Sequence, residues 1–157
     1  MTTIHWMPPN VSSATPVPET AVGGRLEVVV IHTAIPATLQ ALKIAATLAQ
    51  GLSAQIRLLV PQVVPYAVPL DSPPVPISFL ERRFRVVAQK SATETSVEII
   101  LCRELLPALQ ALLRPRSLVV LGERSTRWWR LPWPGAERKL ARRLRRLGHQ
   151  VVFAELP

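Results

Sequence analysis

Gly122 and Gly135 bracket a stretch in which anion chemistry can be built. One follows an apolar run and the other precedes a helical stripe. Glycines at such places let backbone N–H groups approach a phosphate, and a helix N-terminus favours the negative charge. Arg124 and Ser125 come directly after the first glycine, and an arginine fork can meet two phosphate oxygens at once. The bland alternative is that the two glycines merely end a strand and start a helix. His32, behind another apolar run, also has two readings. It can bond a base, a ribose or, once protonated, a phosphate. It can equally pack at the sheet edge and bond a backbone carbonyl.

Catalytic equipment is otherwise scarce. Asp71 is the single aspartate, and the three histidines are His5, His32 and His149. No pair of them has the helical spacing of a metal site. There is no Ser-His-Asp set and no G-x4-G-K-[S/T] phosphate loop. The expectation is a protein that is not an enzyme and holds no metal. Cys102 is the one cysteine, which excludes an internal disulfide and reads as a buried, inert thiol at a strand end. No apolar run reaches the ~18–20 residues that span a bilayer. The N-terminal residues lack the basic start and apolar stretch of a secretory signal, so the cytoplasm is the expected address.

The formal charge is +9, and its placement says more than its size. The stretch 114–146 holds eleven basic and two acidic residues, while the remainder is balanced at eight of each. Within it lies Arg127-Trp128-Trp129-Arg130-Leu131-Pro132-Trp133-Pro134. Trp and Arg interleaved in this way suit an anionic membrane surface, single-stranded nucleic acid or a protein hot spot. The alternative is that the rings cover the sheet or close over the crevice, with Arg stacked on them. Arg138, Arg142, Arg145 and Arg146 carry the basic surface onto the last helix. Arginines at a helix C-terminus complement its dipole, but this density exceeds that need and points to an acidic partner.

These residues need a scaffold, and the apolar pattern supplies one. Residues 1–24 have no hydrophobic period and four prolines, so they read as a disordered arm before a domain spanning 25–157. A short docking segment at Ile4–Met7 is the alternative there. Leu26–Ile31 reads as a strand buried on both faces, and Ile56–Val60, Val97–Leu101, Leu118–Gly122 and Val151–Ala154 read as the other strands. Between them run four helices. Ile35, Leu39, Leu42, Ala46 and Ala49 stripe the first, with Pro36 in its first turn and Gly51 just past its end. Ile77, Leu80, Phe84 and Val87 stripe the second, behind a capping-box spacing at Ser78 and Glu81. Leu105, Leu109 and Leu112 mark the third, and Ala136, Leu140, Leu144 and Leu147 the fourth. Pro61 to Pro76 holds six prolines and reads as an extended connection.

Five strands alternating with four helices predict a three-layer αβα sandwich around a mainly parallel sheet, in the order third, second, first, fourth, fifth, as in flavodoxin-like and adenine-nucleotide-hydrolase-like folds. Ligands of such sheets bind at the C-terminal strand ends, where the winding reverses. That crevice is expected between His32 and Thr33 on one side and Gly122 to Ser125 on the other. The last strand is apolar and lies at a sheet edge, which predicts a homodimer through Val151–Ala154.

This element order, with Leu118-Val119-Val120-Leu121-Gly122 leading to Gly135-Ala136-Glu137-Arg138-Lys139-Leu140, resembles the universal stress protein family. The similarity covers 26–156. The resemblance implies a binding or regulatory role under stress, with ATP as a ligand in some members and pairing through the last strand in many. Nucleotide-binding members carry G-x2-G-x9-G-[S/T] at this place. Gly122 and Gly135 keep the first and third positions, while Ser125 and Ala136 stand at the second glycine and the hydroxyl. Those members also end the first strand with an acid, where this chain has His32. The resemblance thus implies a half-kept adenine-nucleotide motif, with Arg124 and Ser125 placed to substitute for the missing groups. The competing expectation is an adaptor that docks on an acidic protein, nucleic acid or anionic membrane through the Trp/Arg loop and the basic helix.

Overall fold

The computed structural model describes residues 2–6, 26–122 and 135–154. Val28-Val29-Val30-Ile31 is buried on both sides of its strand, as an unbroken β-branched run requires when helices cover both faces of a parallel sheet. The elements are β1 (Thr2–Trp6), β2 (Glu27–Ile31), α1 (Ile35–Leu52), β3 (Gln55–Val63), α2 (Ile77–Gln89), β4 (Thr95–Cys102), α3 (Leu105–Leu112), β5 (Leu118–Gly122), α4 (Ala136–Arg146) and β6 (Gln150–Ala154). All pairings are parallel, in the order β1-β4-β3-β2-β5-β6. The five expected strands therefore lie in the expected order, with helices on both faces. One core joins α1 and α2 to Val28, Val30, Ile56 and Leu58. The other joins α3 and α4 to Val29, Ile31, Leu59 and Leu121.

Five local expectations are corrected. The sheet has a sixth strand: Thr2–Trp6 lies along β4, so this part of the expected disordered arm is an edge strand, which overlaps the alternative docking segment at Ile4–Trp6. The rest of the arm, 7–24, lies outside the described residues. The second strand continues past Val60 through Pro61 to Val63. The amide of His32 bonds to the carbonyl of Leu59 at 2.8 Å, so Leu59 and Pro61 turn towards β2. β2 ends at Ile31, and the N–H that Pro61 lacks costs no ladder bond.

The helix ends also differ. α1 runs through Gly51, and Ser53 takes the left-handed turn at φ 50°. The Ser78–Glu81 capping box does not form, because α2 starts at Ile77 with Pro76 as its N-cap. The carbonyl of Pro76 already receives the amides of Phe79 and Leu80. In α4 the buried stripe is Ala141 and Leu144, while Ala136 and Leu147 are exposed. A narrow stripe suffices because this helix meets the sheet near its edge.

Candidate functional site

β2 and β5 pair up to Ile31 and Leu121. The chain leaves β2 towards β3 on one side and leaves β5 towards β6 on the other. Their C-terminal ends are therefore the reversal point where such sheets bind ligands. His32, Thr33 and Gly122 meet there as expected. The Thr33 hydroxyl donates to the carbonyl of Gly122 at 3.2 Å, which ties the two strand ends together.

His32 is turned towards the α1–α2 layer. Its Nδ1 lies 2.7 Å from the Thr38 hydroxyl. Its ring meets Phe84 edge to face, with centroids 4.6 Å apart and planes at 70°. Burial, and then the charge of Arg83, lower its pKa from 6.5 to about 4. The imidazole is thus neutral at neutral pH and offers a phosphate no charge. The ring's hydrogen-bond partner is a side-chain hydroxyl, where the packing alternative expected a backbone carbonyl. Thr38, fully buried on α1, escaped the sequence reading because a lone threonine beside an apolar stripe carries no distinguishing spacing.

Gly122 has a packing role. A Cβ there would run into the backbone carbonyl of Ala37. α1 presents Ala37, Ala41, Ala45 and Ala49 to the core, and these small side chains let the helix close onto the strands. The buried face of α1 is thus broader than the expected stripe, with Ile35 and Leu39 only partly buried.

Gly135 is the N-cap of α4, and Ala136 begins the helix. Both are exposed. A carboxylate oxygen of Glu137 lies 2.8 Å from where a Cβ on Gly135 would stand, so the helix start is already faced by an anion of its own chain. Arg124 and Ser125, the residues expected to complete an anion site, lie outside the described residues. So do Arg127, Trp128, Trp129, Arg130 and Trp133 of the expected partner loop. Arg138, Arg142, Arg145 and Arg146 are exposed on α4. Arg145 donates to the carbonyl of Val151 at 2.9 Å.

A second polar cluster was missed. Arg57 of β3 bonds Glu98 of β4 through two nitrogens, at 2.6 and 2.7 Å, and the Leu112 carbonyl at 3.1 Å. Glu27 stands 3.9 Å away. Burial opposes the guanidinium charge, but the bonds and charges of Glu98 and Glu27 outweigh it and raise the pKa of Arg57. The end of α3 adds its carbonyl to this cation, the favourable end of a helix dipole. The signal was one charge interrupting each of two otherwise apolar strands. Cys102 is buried, and burial pushes its thiol pKa up.

The fold is that of a known protein class. The universal stress protein from Archaeoglobus fulgidus superposes with a TM-score of 0.53 over 82% of this chain and 92% of that chain, at 12% identity. No protein-family model matches the sequence, and no curated protein matches it.

Proposed function

We propose that this chain is a universal-stress-protein-like binding or regulatory module that carries no catalytic residues and does not bind ATP at its strand-end crevice. The observation that carries this reading is the state of His32. In nucleotide-binding proteins of the resembling family an acid meets the nucleotide here. In this chain the position holds a neutral ring bonded to Thr38 and packed on Phe84. Gly122 is already spent on the close approach of α1, and the start of α4 faces Glu137. Mass spectrometry of the purified protein and thermal unfolding with millimolar Mg-ATP test the reading. The expected result is no stoichiometric adenine nucleotide and no resolvable rise in Tm. A co-purifying nucleotide, or a rise of several degrees, would overturn it, since a ligand at many times its Kd adds stability by mass action.

A second reading concerns partners and is favoured by α4. Six of its residues are arginine or lysine, all exposed, and only Ala141 and Leu144 are buried. A helix dipole needs basic residues in the last turn alone. The surplus supports docking on an acidic partner, whose affinity falls steeply with added salt.

A further inference from the structure

Among the described residues, β6 ends the sheet on one side, and its register decides which backbone groups it presents. The amide of Gln150 bonds to the carbonyl of Ser117 at 3.0 Å. Alternation along a strand then turns Gln150, Val152 and Ala154 towards β5, and turns the amides and carbonyls of Val151 and Phe153 outward. The outward carbonyl of Val151 is covered by a side chain, the Arg145 guanidinium. The same guanidinium stands 5.6 Å over the Phe153 ring. Arg142 and Arg146 are exposed on the same helix, and the one acid of α4, Glu137, sits at its far end. The edge is a pairing template capped by one cation, Arg145, from a helix rich in exposed arginine.

We propose that the β6 edge receives an extended acidic segment of another protein as a seventh strand, with Arg145 moving from the Val151 carbonyl to a carboxylate of the incoming chain. This rests on the partner-docking reading and names its surface. Strand pairing supplies the affinity, and the flanking charges supply the selectivity. A second copy of this chain, the occupant expected from sequence, fits less well. It would bring a second arginine-rich helix to the same edge, and opposed like charges disfavour that pairing. Nucleic acid or a membrane offers anions but no peptide backbone for Val151 and Phe153.

The test is an NMR titration of the full chain with a peptide of about ten residues alternating Glu and Val, a length suited to one strand. Controls are the Lys–Val peptide and a Glu–Val peptide methylated on alternate backbone nitrogens. The expected result is salt-sensitive binding of the Glu–Val peptide only. The amides of Val151 and Phe153 should gain roughly tenfold or more protection from hydrogen exchange. A double reversal, Arg142→Glu with Arg146→Glu, lies on an exposed face and should weaken binding roughly tenfold with unchanged Tm. Equal binding of the methylated peptide, without amide protection, overturns strand addition and leaves the acidic-partner reading standing. No binding of either acidic peptide at low salt overturns both. Protection of Val151 and Phe153 in a peptide-free dimer assigns the edge to a second copy and overturns the proposal.

Discussion

Arg57–Glu98 and His32–Thr38 place polar side chains against opposite faces of one sheet, and they solve burial in opposite ways. On the α3 side the guanidinium stays charged because two carboxylates and a helix-end carbonyl surround it. On the α1–α2 side the imidazole stays neutral because burial removes water and Arg83 repels the proton. A buried ion survives when paired, and an unpaired titratable group gives up its charge instead. The comparison bears on function. The charged cluster lies under α3, bound up in itself. The crevice at the strand ends, where a ligand would enter, is lined by a neutral histidine, a threonine tied to the neighbouring strand and a glycine pressed on a helix.

The largest effect is expected from breaking the ion cluster. Glu98→Ala leaves Arg57 half-compensated between strands and should cost about 3 kcal/mol in chemical denaturation. Replacing both partners by methionine should recover much of that loss, because no stranded charge remains. If the single variant costs nothing, Arg57 is solvated and the contrast between the two clusters fails.

Gly122→Ala comes next. The added methyl meets the backbone of Ala37, which has no soft neighbour to yield, and overpacking of this kind costs about 2 kcal/mol. A neutral outcome would show that α1 can back away from the strand end, and would reopen the glycine to a ligand-binding role.

The pH dependence tests the neutral histidine directly. Between pH 6.5 and about 4 the unfolded chain takes up a proton that folded His32 resists. Its contribution is therefore fully present above about pH 6.5 and is lost as the pH falls towards 4. Since the ring is part-exposed, screening holds the effect to about 1–2 kcal/mol. His32→Gln should flatten this stretch of the stability curve, and an unchanged slope would show that the ring charges normally.

The smallest effect is expected from Thr38→Val, which keeps the volume and removes the partner of His32. A loss of about 1 kcal/mol is expected, read as a fall of roughly 2–4 °C in Tm. A loss well above that would mean that the hydroxyl holds more than the imidazole.

Much of the architecture was legible because it rests on local periodicity. Runs such as Val28–Ile31 and Leu118–Leu121 need cover on both faces, and the helical stripes between them name that cover. β1 was not legible, because an edge strand needs little apolar alternation when its pairing comes from the backbone of β4. Pro61 was misread for a related reason. Its missing donor matters only if β2 extends alongside it, and β2 stops at Ile31. Gly51 drew the end of α1 two residues early, because glycine is the usual left-handed residue and here Ser53 takes that conformation.

The sequence by itself determined the order of elements from β2 onward, the double-sided burial of β2 and the concentration of arginine on one helix. The folded chain alone decided which polar groups meet. Arg57 and Glu98 are 41 residues apart, Thr33 and Gly122 are 89 apart, and Arg145 finds a carbonyl on the next element. Periodicity is set by neighbours along the backbone and can be read there. The partner of a buried polar group is set by which strands and helices cross once the core has closed, and no spacing along the chain encodes it.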